Sequence, residues 1–232
     1  MKISVVIPAY NEAKVILLTI SQVKDYLEKN FSSFEIIVVD DCSRDSTLEI
    51  LKSFEGIRII RNLRNHGKGY TVAKGVKAAH GDLILFMDAD NSTQISELDS
   101  FLPQIAEYDL VIASRALADS NIKIKQNFLK IFLGRLGNLV SRIFIHKSIG
   151  DTQCGFKLFS KDLKFIFEKL TISGFSFDFE LIFLAKKYKF RIKEMPITWE
   201  NNFDSTVKWH DYPKTFMDII KINLNNLFGK YN

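Results

Sequence analysis

The 232-residue chain has few of the residues that build disulfide-rich, metal-stapled or low-complexity proteins. It contains 2 cysteines, 4 prolines, 11 glycines and 4 scattered histidines. Cys42 and Cys154 are too far apart for a metal-type spacing and form no disulfide framework, which favours a reducing compartment. No run of about 18 apolar residues occurs, so the sequence predicts no membrane-spanning segment.

The remaining composition is that of a folded globular protein, with 47% hydrophobic and 25% charged residues. The length suits one α/β domain. Lys and Arg outnumber Asp and Glu by 32 to 27, a net charge of +5. Six of the basic residues and none of the acidic ones lie in residues 121–150, and without this segment 26 basic residues face 27 acidic ones. The basic excess is therefore local, which favours contact with an anionic surface over nucleic-acid binding by the whole chain.

Short β-branched runs alternate with helical patterns over residues 1–115, as in a parallel βαβ protein. The predicted strands are Ile3 to Ile7, Glu35 to Val39, Ile57 to Ile60, Asp82 to Met87 and Asp109 to Ala113. The predicted helices are Glu12 to Lys29, Ser46 to Phe54, Gly69 to Ala79 and Ser96 to Ile105.

Polar and acidic residues follow three of these strands, where an open α/β sheet binds its ligand. Asn11 and Glu12 follow the first strand, and Asp40 and Asp41 follow the second. These residues also have ordinary structural explanations: Asn11 as a turn residue, Asp45 or Ser46 as the N-cap of the following helix, and Asp40 as a solvating group at a strand end. Adjacent carboxylates repel each other, so Asp40 and Asp41 indicate nearby cations or hydrogen-bond donors.

Asp88-Ala89-Asp90 is the most specific of these signals. In an extended chain, residues i and i+2 project to the same side, so both carboxylates can face one hard divalent cation. The sequence predicts Mg²⁺ or Mn²⁺ here, together with substrate phosphates. Lys68, at the start of a predicted helix, is a weaker anion-binding candidate beside the alternative of a tight glycine turn.

Three motifs in this order resemble the nucleotide-sugar site of family 2 inverting glycosyltransferases with the GT-A fold. They are Ser4 to Glu12, Val38 to Asp41 with Asp45, and Asp88-Ala89-Asp90. Asp151 to Phe159, Phe177 to Leu181 and the Trp199 segment resemble the dolichyl-phosphate β-glucosyltransferase branch, close to the dolichyl-phosphate mannose synthases. The resemblance implies a three-layer α/β/α sandwich around a mostly parallel mixed sheet.

The resemblance also implies roles for individual residues. Pro8, Tyr10, Glu12 and Asp40 would hold the nucleoside, and the nucleotide-sugar site would extend over Asp41, Lys68 and Ala89. Asp88 and Asp90 would hold the metal, and Arg115 would lie near the phosphates. The acceptor side would include Gln153, Cys154 and Gly155. The chain departs from the mannose synthases at Glu200 to Thr206, where they carry an arginine, and this favours UDP-glucose.

The acceptor decides whether the reaction needs a general base. A lipid phosphate is mostly ionised at neutral pH and needs none. A saccharide hydroxyl, the alternative acceptor in cell-envelope polysaccharide synthesis, would need a carboxylate such as Asp151, Asp178 or Glu180. Of these three carboxylates, Asp178 is our candidate base.

Residues 121–150 form a basic amphipathic segment typical of a helix on an anionic membrane surface. Lys130, Arg135 and Arg142 are its candidate contacts to the membrane or the acceptor phosphate, and the alternative is a helix covering the sheet. The predicted single domain, 1–232, then comprises a nucleotide-sugar half (1–115), this segment, an acceptor-side half (151–208) and a C-terminal amphipathic helix (209–232). That helix is a second membrane contact or a homodimer contact. We expect a peripheral protein on the cytoplasmic face of the membrane.

Overall fold

The computed structural model describes residues 1–122, 149–200 and 211–232. Their centre is a seven-stranded sheet, in the order β3-β2-β1-β4-β7-β5-β8, with helices on both faces. In the first part of the chain the strands are β1 (Ile3–Ala9), β2 (Phe34–Asp40), β3 (Ile57–Arg61), β4 (Leu83–Met87) and β5 (Leu110–Ser114). All five coincide with predicted strands to within two residues.

The helices between them are α1 (Ile16–Asn30), α2 (Thr47–Lys52), α3 (Lys68–Ala78) and α4 (Leu98–Phe101). Single 3₁₀ turns, Ile95–Glu97 and Leu102–Ala106, flank α4, so the helix predicted from Ser96 to Ile105 is broken into three pieces. Pro103 contributes to the break because it has no backbone N–H to donate.

The second part of the chain completes the sheet. It supplies β7 (Phe156–Ser160), α5 (Ile166–Lys169), α6 (Phe177–Lys187), β8 (Ile192–Pro196) and α7 (Asp211–Leu227). A 3₁₀ turn, Lys161–Phe165, links β7 to α5. Strands β6 (Asn121–Ile122) and β9 (Thr198–Trp199) form a separate parallel pair.

Strand β7 lies between β4 and β5 and is antiparallel to both, whereas the other pairings of the large sheet are parallel. The mixed, mostly parallel sheet is therefore as predicted. The position of β7 brings residues 154–157 directly beside the end of β4, where the sequence places Asp88.

Two apolar layers sandwich the sheet, because successive strand residues point to opposite faces. Val6 packs into the layer under α3, α5, α6 and α7, and its neighbours Val5 and Ile7 pack into the layer under α1, α2 and α4. All three are fully buried. The core thus fixes the strands in register and aligns the carboxyl ends of β1, β2 and β4 at one edge.

Candidate active site

A cavity of about 430 Å³ opens at that edge. It collects residues from the ends of β1 and β4, from the start of α3 and from the loop before α6. Its lining includes Pro8, Ala9, Tyr10, Glu12, Asp41, Lys68, Asp88, Ala89 and Asp90. Eight of these belong to the predicted nucleotide-sugar site, so the structure brings most of that set together.

The loops after β1 and β2 are held together by side-chain hydrogen bonds. Asn11 donates from its backbone N–H to Ser43 Oγ at 3.0 Å and accepts from the Arg44 N–H at 2.8 Å. Thr47 Oγ1 accepts from the Glu12 N–H at 2.8 Å. Asn11 adopts a left-handed φ of 58°, which asparagine tolerates better than most residues. The turn role of Asn11 is therefore correct, and it fixes where Glu12 enters the cavity.

Asp45 takes a structural role close to the one that the sequence offered as its alternative. Its carboxylate accepts from the Thr47 N–H and from Thr47 Oγ1, at the start of α2, and from the Ala13 N–H. The N-cap position of α2 is Ser46, and Asp45 just before it binds the first N–H of the helix and ties the first loop to the second.

Asp41 lines the cavity, whereas Asp40 lies buried behind it. Asp40 Oδ1 accepts from the Ser43 N–H, and its Oδ2 lies 3.5 Å from Arg61 Nε, at the outer strand β3. Asp40 therefore lies outside the cavity wall, and its contact with the nucleoside stays a prediction. Successive strand residues point to opposite sides, so Asp41 reaches the cavity while Asp40 is buried beside it.

Asp41 also explains the loop before α3. Its carboxylate accepts from the backbone N–H groups of His66 and Gly67, at 2.9 and 2.8 Å. Those amides are therefore occupied by a protein carboxylate and do not form an anion-binding loop. Gly67 has φ 95°, and a Cβ there would lie 2.6 Å from the Ser173 carbonyl oxygen, so only glycine fits this turn.

Asp88 is positioned by β7 and by Lys68. Its backbone N–H donates to the Gly155 carbonyl at 2.9 Å, and Lys68 Nζ lies 2.7 Å from its Oδ1. A Cβ on Gly155 would lie only 2.0 to 2.4 Å from the Asp88 carboxylate atoms, so glycine leaves the space that this carboxylate occupies. Burial alone would lower the pKa of Lys68, but Asp88, Asp178 and Asp90 outweigh it and raise the pKa, so the ammonium stays charged.

Asp90 and Glu12 complete a crowded acidic group. Asp88 leaves the strand before a turn at Ala89 and Asp90, so the extended geometry expected from the sequence is not the one observed. Burial and the neighbouring Asp88 raise the pKa of Asp90. Burial together with Asp90, Asp88 and Asp45 raises the pKa of Glu12 to about 7. The protein thus gathers negative charge at a cost, which is the arrangement that a bound cation relieves.

These carboxylates fit a hard divalent cation in their chemistry, since Mg²⁺ and Mn²⁺ prefer oxygen ligands. Among the residues that the structure describes, no group of three or more His, Cys, Asp or Glu side chains is arranged to hold a metal ion. Asp88 and Asp90 would therefore supply only part of the coordination, and substrate phosphates would have to supply more.

Beneath the cavity lies a second lysine and aspartate pair. Lys157, in the middle of β7, is fully buried, and its Nζ lies 2.6 Å from Asp178 Oδ1 and 2.6 Å from the Cys154 carbonyl. Asp178 is held at the start of α6 and does not appear in the cavity wall. Asp178 is therefore engaged with Lys157 and lies outside the cavity wall, and its role as a base stays a prediction.

The other two candidate bases are also engaged. Asp151 makes a two-point ion pair with Arg115, with Nε to Oδ2 at 2.6 Å and NH2 to Oδ1 at 3.0 Å. Glu180 accepts from the Thr171 and Ile172 N–H groups and from the Tyr231 hydroxyl. Both carboxylates are buried and serve to fix neighbouring loops.

Arg115 is bound by Asp151 and is absent from the cavity wall, although Asp88 is near enough to help raise its pKa, and its role near the phosphates stays a prediction. Its guanidinium is held by Asp151 and lies 5.5 Å from the centre of the Trp199 ring. Burial lowers the pKa of Arg115, but Asp151 more than compensates and raises it; the same pairing holds the pKa of Asp151 below its usual range. The pair ties the end of β5 to the loop before β7 and so supports Gly155 indirectly.

The predicted acceptor-side residues belong to that same loop. The Gln153 N–H donates to Asp151 Oδ1, and Cys154 is buried beside Thr93. Burial raises the pKa of the Cys154 thiol to about 12, so it is neutral and unreactive at physiological pH. Gly155 is the member of the three that directly abuts the site.

The cavity also contains a wall that the sequence did not predict. Gly174, Phe175 and Ser176 come from the loop before α6, and Lys214, Thr215 and Asp218 come from α7. The spacing of Lys214 and Asp218, one helical turn apart, is the only sequence signal for this wall, and it is common on exposed helices. The predicted contacts Lys130, Arg135 and Arg142 lie outside the described residues. No helix among the described residues is long and apolar enough to cross a bilayer.

The chain is similar to known proteins in both sequence and fold. Residues 4–167 match the family model "Glycosyl transferase family 2". A dolichyl-phosphate β-glucosyltransferase of Trichomonas vaginalis is 34% identical over 233 residues, covering 94% of this chain and 69% of the relative. Among solved structures, mannosyl-3-phosphoglycerate synthase from Rubrobacter xylanophilus superimposes with a TM-score of 0.73 at 18% identity, covering 99% of this chain and 76% of that one.

A second solved structure is glucosyl-3-phosphoglycerate synthase from Mycobacterium tuberculosis in complex with Mn²⁺, UDP and phosphoglyceric acid. It has a TM-score of 0.68 at 18% identity and covers 97% of this chain and 78% of that one. At this level of identity the likeness shows the fold, and the predicted GT-A fold is confirmed.

Proposed function

Because the chain belongs to glycosyl transferase family 2, and is thus a glycosyltransferase, we propose that it moves glucose from UDP-glucose onto a polyprenyl phosphate such as dolichyl phosphate. The observation that carries the proposal is the cavity at the ends of β1 and β4, which gathers Glu12, Asp88, Asp90 and Lys68. The name of the Trichomonas relative supports the choice of sugar and acceptor.

In this proposal the donor's nucleoside lies against the loop after β1. Pro8, Tyr10 and Glu12 line that side of the cavity together with Asp41. Asp41 is fixed by three donors, including Asn62 Nδ2 at 2.7 Å, so it shapes the wall without needing to move. The diphosphate then points toward the end of β4.

Asp88 and Asp90 hold a divalent cation, Mg²⁺ or Mn²⁺, on the diphosphate. When bound, this cation supplies Lewis-acid stabilisation of the leaving phosphate charge. Gly155 and Lys68 keep the Asp88 carboxylate in one orientation. Because Lys68 remains charged, it also offsets the negative charge that develops on the leaving group.

The acceptor phosphate attacks from the face opposite the leaving group, with inversion at the sugar carbon. Its second pKa of about 6 leaves it largely ionised at neutral pH, so it needs no protein base. This agrees with the engagement of Asp151, Asp178 and Glu180 in structural contacts.

A saccharide hydroxyl is the alternative acceptor, and one observation favours it. Asp218 lines the cavity from α7 and is positioned as a carboxylate that a hydroxyl nucleophile would require. The variant Asp218→Asn distinguishes the two acceptors. Transfer to a phosphate persists in this variant, whereas transfer to a hydroxyl falls by about 100-fold or more.

The place of action follows from the acceptor. A polyprenyl phosphate resides in a membrane, so the protein would work peripherally at the cytoplasmic face, with the basic segment 121–150 on the anionic surface. The division into a nucleotide-sugar half and an acceptor-side half belongs to this proposal.

The test is a panel of nucleotide sugars with Mg²⁺ or Mn²⁺ and a short polyprenyl phosphate, with lipid-linked sugar as the readout. The proposal expects product with UDP-glucose, none after removal of divalent metal, and none with Asp88→Ala. Product that forms equally well with Asp88→Ala would contradict it, as would labelled sugar found only on saccharide acceptors.

A further inference from the structure

Two lysines line the cavity, and they are placed differently. Lys68 comes from the start of α3 and is held by Asp88 at 2.7 Å. Lys214 comes from the start of α7, on the wall built by Gly174, Phe175 and Ser176. A Cβ built on Gly174 would lie 3.8 Å from Lys214 Nζ, so the ammonium sits over this glycine at the cavity wall.

The charges around the cavity give these lysines different partners. The acids Glu12, Asp88 and Asp90 gather at the ends of β1 and β4, together with Lys68. Among the described side chains, no carboxylate makes an ion pair with Lys214 within 4.0 Å, although Asp218 lines the same cavity. Lys214 is thus the cation available to a second anionic group, beyond the one that Lys68 and a metal would serve.

Exposed apolar side chains lie both on α7 and in the loop before α6. Phe216, Met217 and Ile220 are 49%, 62% and 44% exposed, and they follow Lys214 along the same helix. Phe175, 40% exposed, lines the cavity itself. At about 3.6 residues per turn, Phe216 and Ile220 lie on the face of α7 opposite to Lys214 and Asp218, so Phe175 is the apolar side chain that shares the cavity wall with the cation. A cation and an apolar side chain in one cavity wall match an amphiphile that has an anionic head and a hydrocarbon tail.

We infer that the wall formed by α7 and the loop before α6 is the acceptor subsite: Lys214 binds the phosphate of the lipid acceptor, and Phe175 contacts the first part of its hydrocarbon chain. This rests on the proposed function and adds the place where the acceptor binds. The phosphate oxygen that attacks the sugar then approaches from the α7 side, while the donor diphosphate lies at Asp88 and Asp90. Lys214 accepts no proton and forms no covalent bond in this role.

The test compares Lys214→Met with Lys221→Met, which removes the same charge from the same helix. Lys221 is outside the cavity wall, and its Nζ lies 3.5 Å from the Thr171 carbonyl. For each variant, the KM for a detergent-solubilised polyprenyl phosphate is measured. The affinity for UDP with Mn²⁺ is measured separately by calorimetry without acceptor.

We expect Lys214→Met to raise the acceptor KM by about 10-fold or more, the loss of one charge-assisted hydrogen bond, with UDP affinity changed less than twofold. Lys214→Arg should recover most of the acceptor affinity, and Lys221→Met should behave as wild type. An acceptor KM unchanged in Lys214→Met would overturn the inference, and so would an equal loss of UDP affinity, which would assign Lys214 to the donor.

Chain length tests the hydrocarbon part. Phe175→Ser should raise the KM for a long polyprenyl phosphate several-fold more than that for a water-soluble short-chain phosphate. Equal changes for both would overturn this part. A wild-type protein that binds UDP but forms no lipid-linked sugar contradicts the proposed function itself, whereas active wild type with unaffected Lys214→Met contradicts only the subsite.

Discussion

Two lysine and aspartate pairs lie near one phenylalanine ring, that of Phe86, and they differ in what they contact. Lys157 and Asp178 are 2.6 Å apart and fully buried, while Lys68 and Asp88 are 2.7 Å apart at the cavity. Each ammonium lies 5.6 Å from the centre of the Phe86 ring. Both pairs consist of a lysine and an aspartate, so the difference in their burial decides which one is structural and which one can contact a ligand.

The buried pair holds structure because its charges are shielded from solvent and lie against fixed groups of the protein. Lys157 also donates to the Cys154 carbonyl, and the next carbonyl, Gly155, accepts from the Asp88 N–H. The inner pair, Lys157 with Asp178, therefore supports the outer pair, Lys68 with Asp88, through the adjacent carbonyls of Cys154 and Gly155. The outer pair faces open space, where a ligand can contact it.

The largest effect is expected when the inner pair is broken. Asp178→Ala leaves the Lys157 ammonium buried without its counterion, which should lower the free energy of unfolding by about 3–5 kcal/mol. Denaturant unfolding measures it. The double variant Lys157→Met with Asp178→Leu should recover most of the loss, because an apolar pair carries no buried charge. A single variant as stable as wild type would show that the pair is not structural.

Breaking the outer pair should lower the catalytic activity and leave the stability of the fold almost unchanged. Asp88→Ala removes a carboxylate that faces the cavity, and we expect kcat to fall by about 100- to 1000-fold. The thermal midpoint should change little, because Lys68 can reach water. If this variant unfolded as readily as Asp178→Ala, the contrast between the two pairs would fail.

Gly155→Ala should have a smaller effect, a steric one that weakens the metal-dependent binding of UDP. The added methyl group would overlap the Asp88 carboxylate, which must then rotate away from its position. We expect a loss of about 10- to 100-fold in metal-dependent UDP affinity, comparable to the loss of a residue that orients a ligand. Calorimetry with UDP and Mn²⁺ measures it, and unchanged affinity would mean that Asp88 can act from another orientation.

The smallest expected effect is a pH dependence from Glu12. Its pKa is raised from 4.5 to about 7, so between these values the folded state binds a proton that the unfolded state has released. Stability from this group is present below pH 4.5 and is lost as the pH rises to 7. Because Glu12 is half-buried, solvent screens part of its charge. We therefore expect the free energy of unfolding of the metal-free protein to fall by about 1–2 kcal/mol over this pH range, less than the full pKa shift would give. Glu12→Gln should abolish this slope, and a slope that persists would assign it to another group.

The sequence predicted the edge of the sheet well, for a simple reason. Parallel strands that are buried on both faces have continuous apolar runs, and their ends are marked by polar residues such as Asn11, Asp41 and Asp88. Which of two adjacent aspartates faces the cavity depends on strand register, so Asp40 and Asp41 were not distinguished.

Other features depended on contacts between distant parts of the chain. The insertion of β7 between β4 and β5 follows from long-range pairing, and Lys157 interrupts the apolar pattern of that strand. The ion pair of Arg115 with Asp151 spans 36 residues. The wall from α7 required the helix to fold back beside Gly174, which no local pattern indicates.

The most direct measurement offers the protein UDP-glucose and Mn²⁺ with two lipids that differ in one group, a polyprenyl phosphate and the corresponding polyprenol. We expect lipid-linked glucose with the phosphate and none with the alcohol, because the ionised phosphate needs no protein base whereas the alcohol does. Transfer to the alcohol at an equal rate would contradict the proposed acceptor.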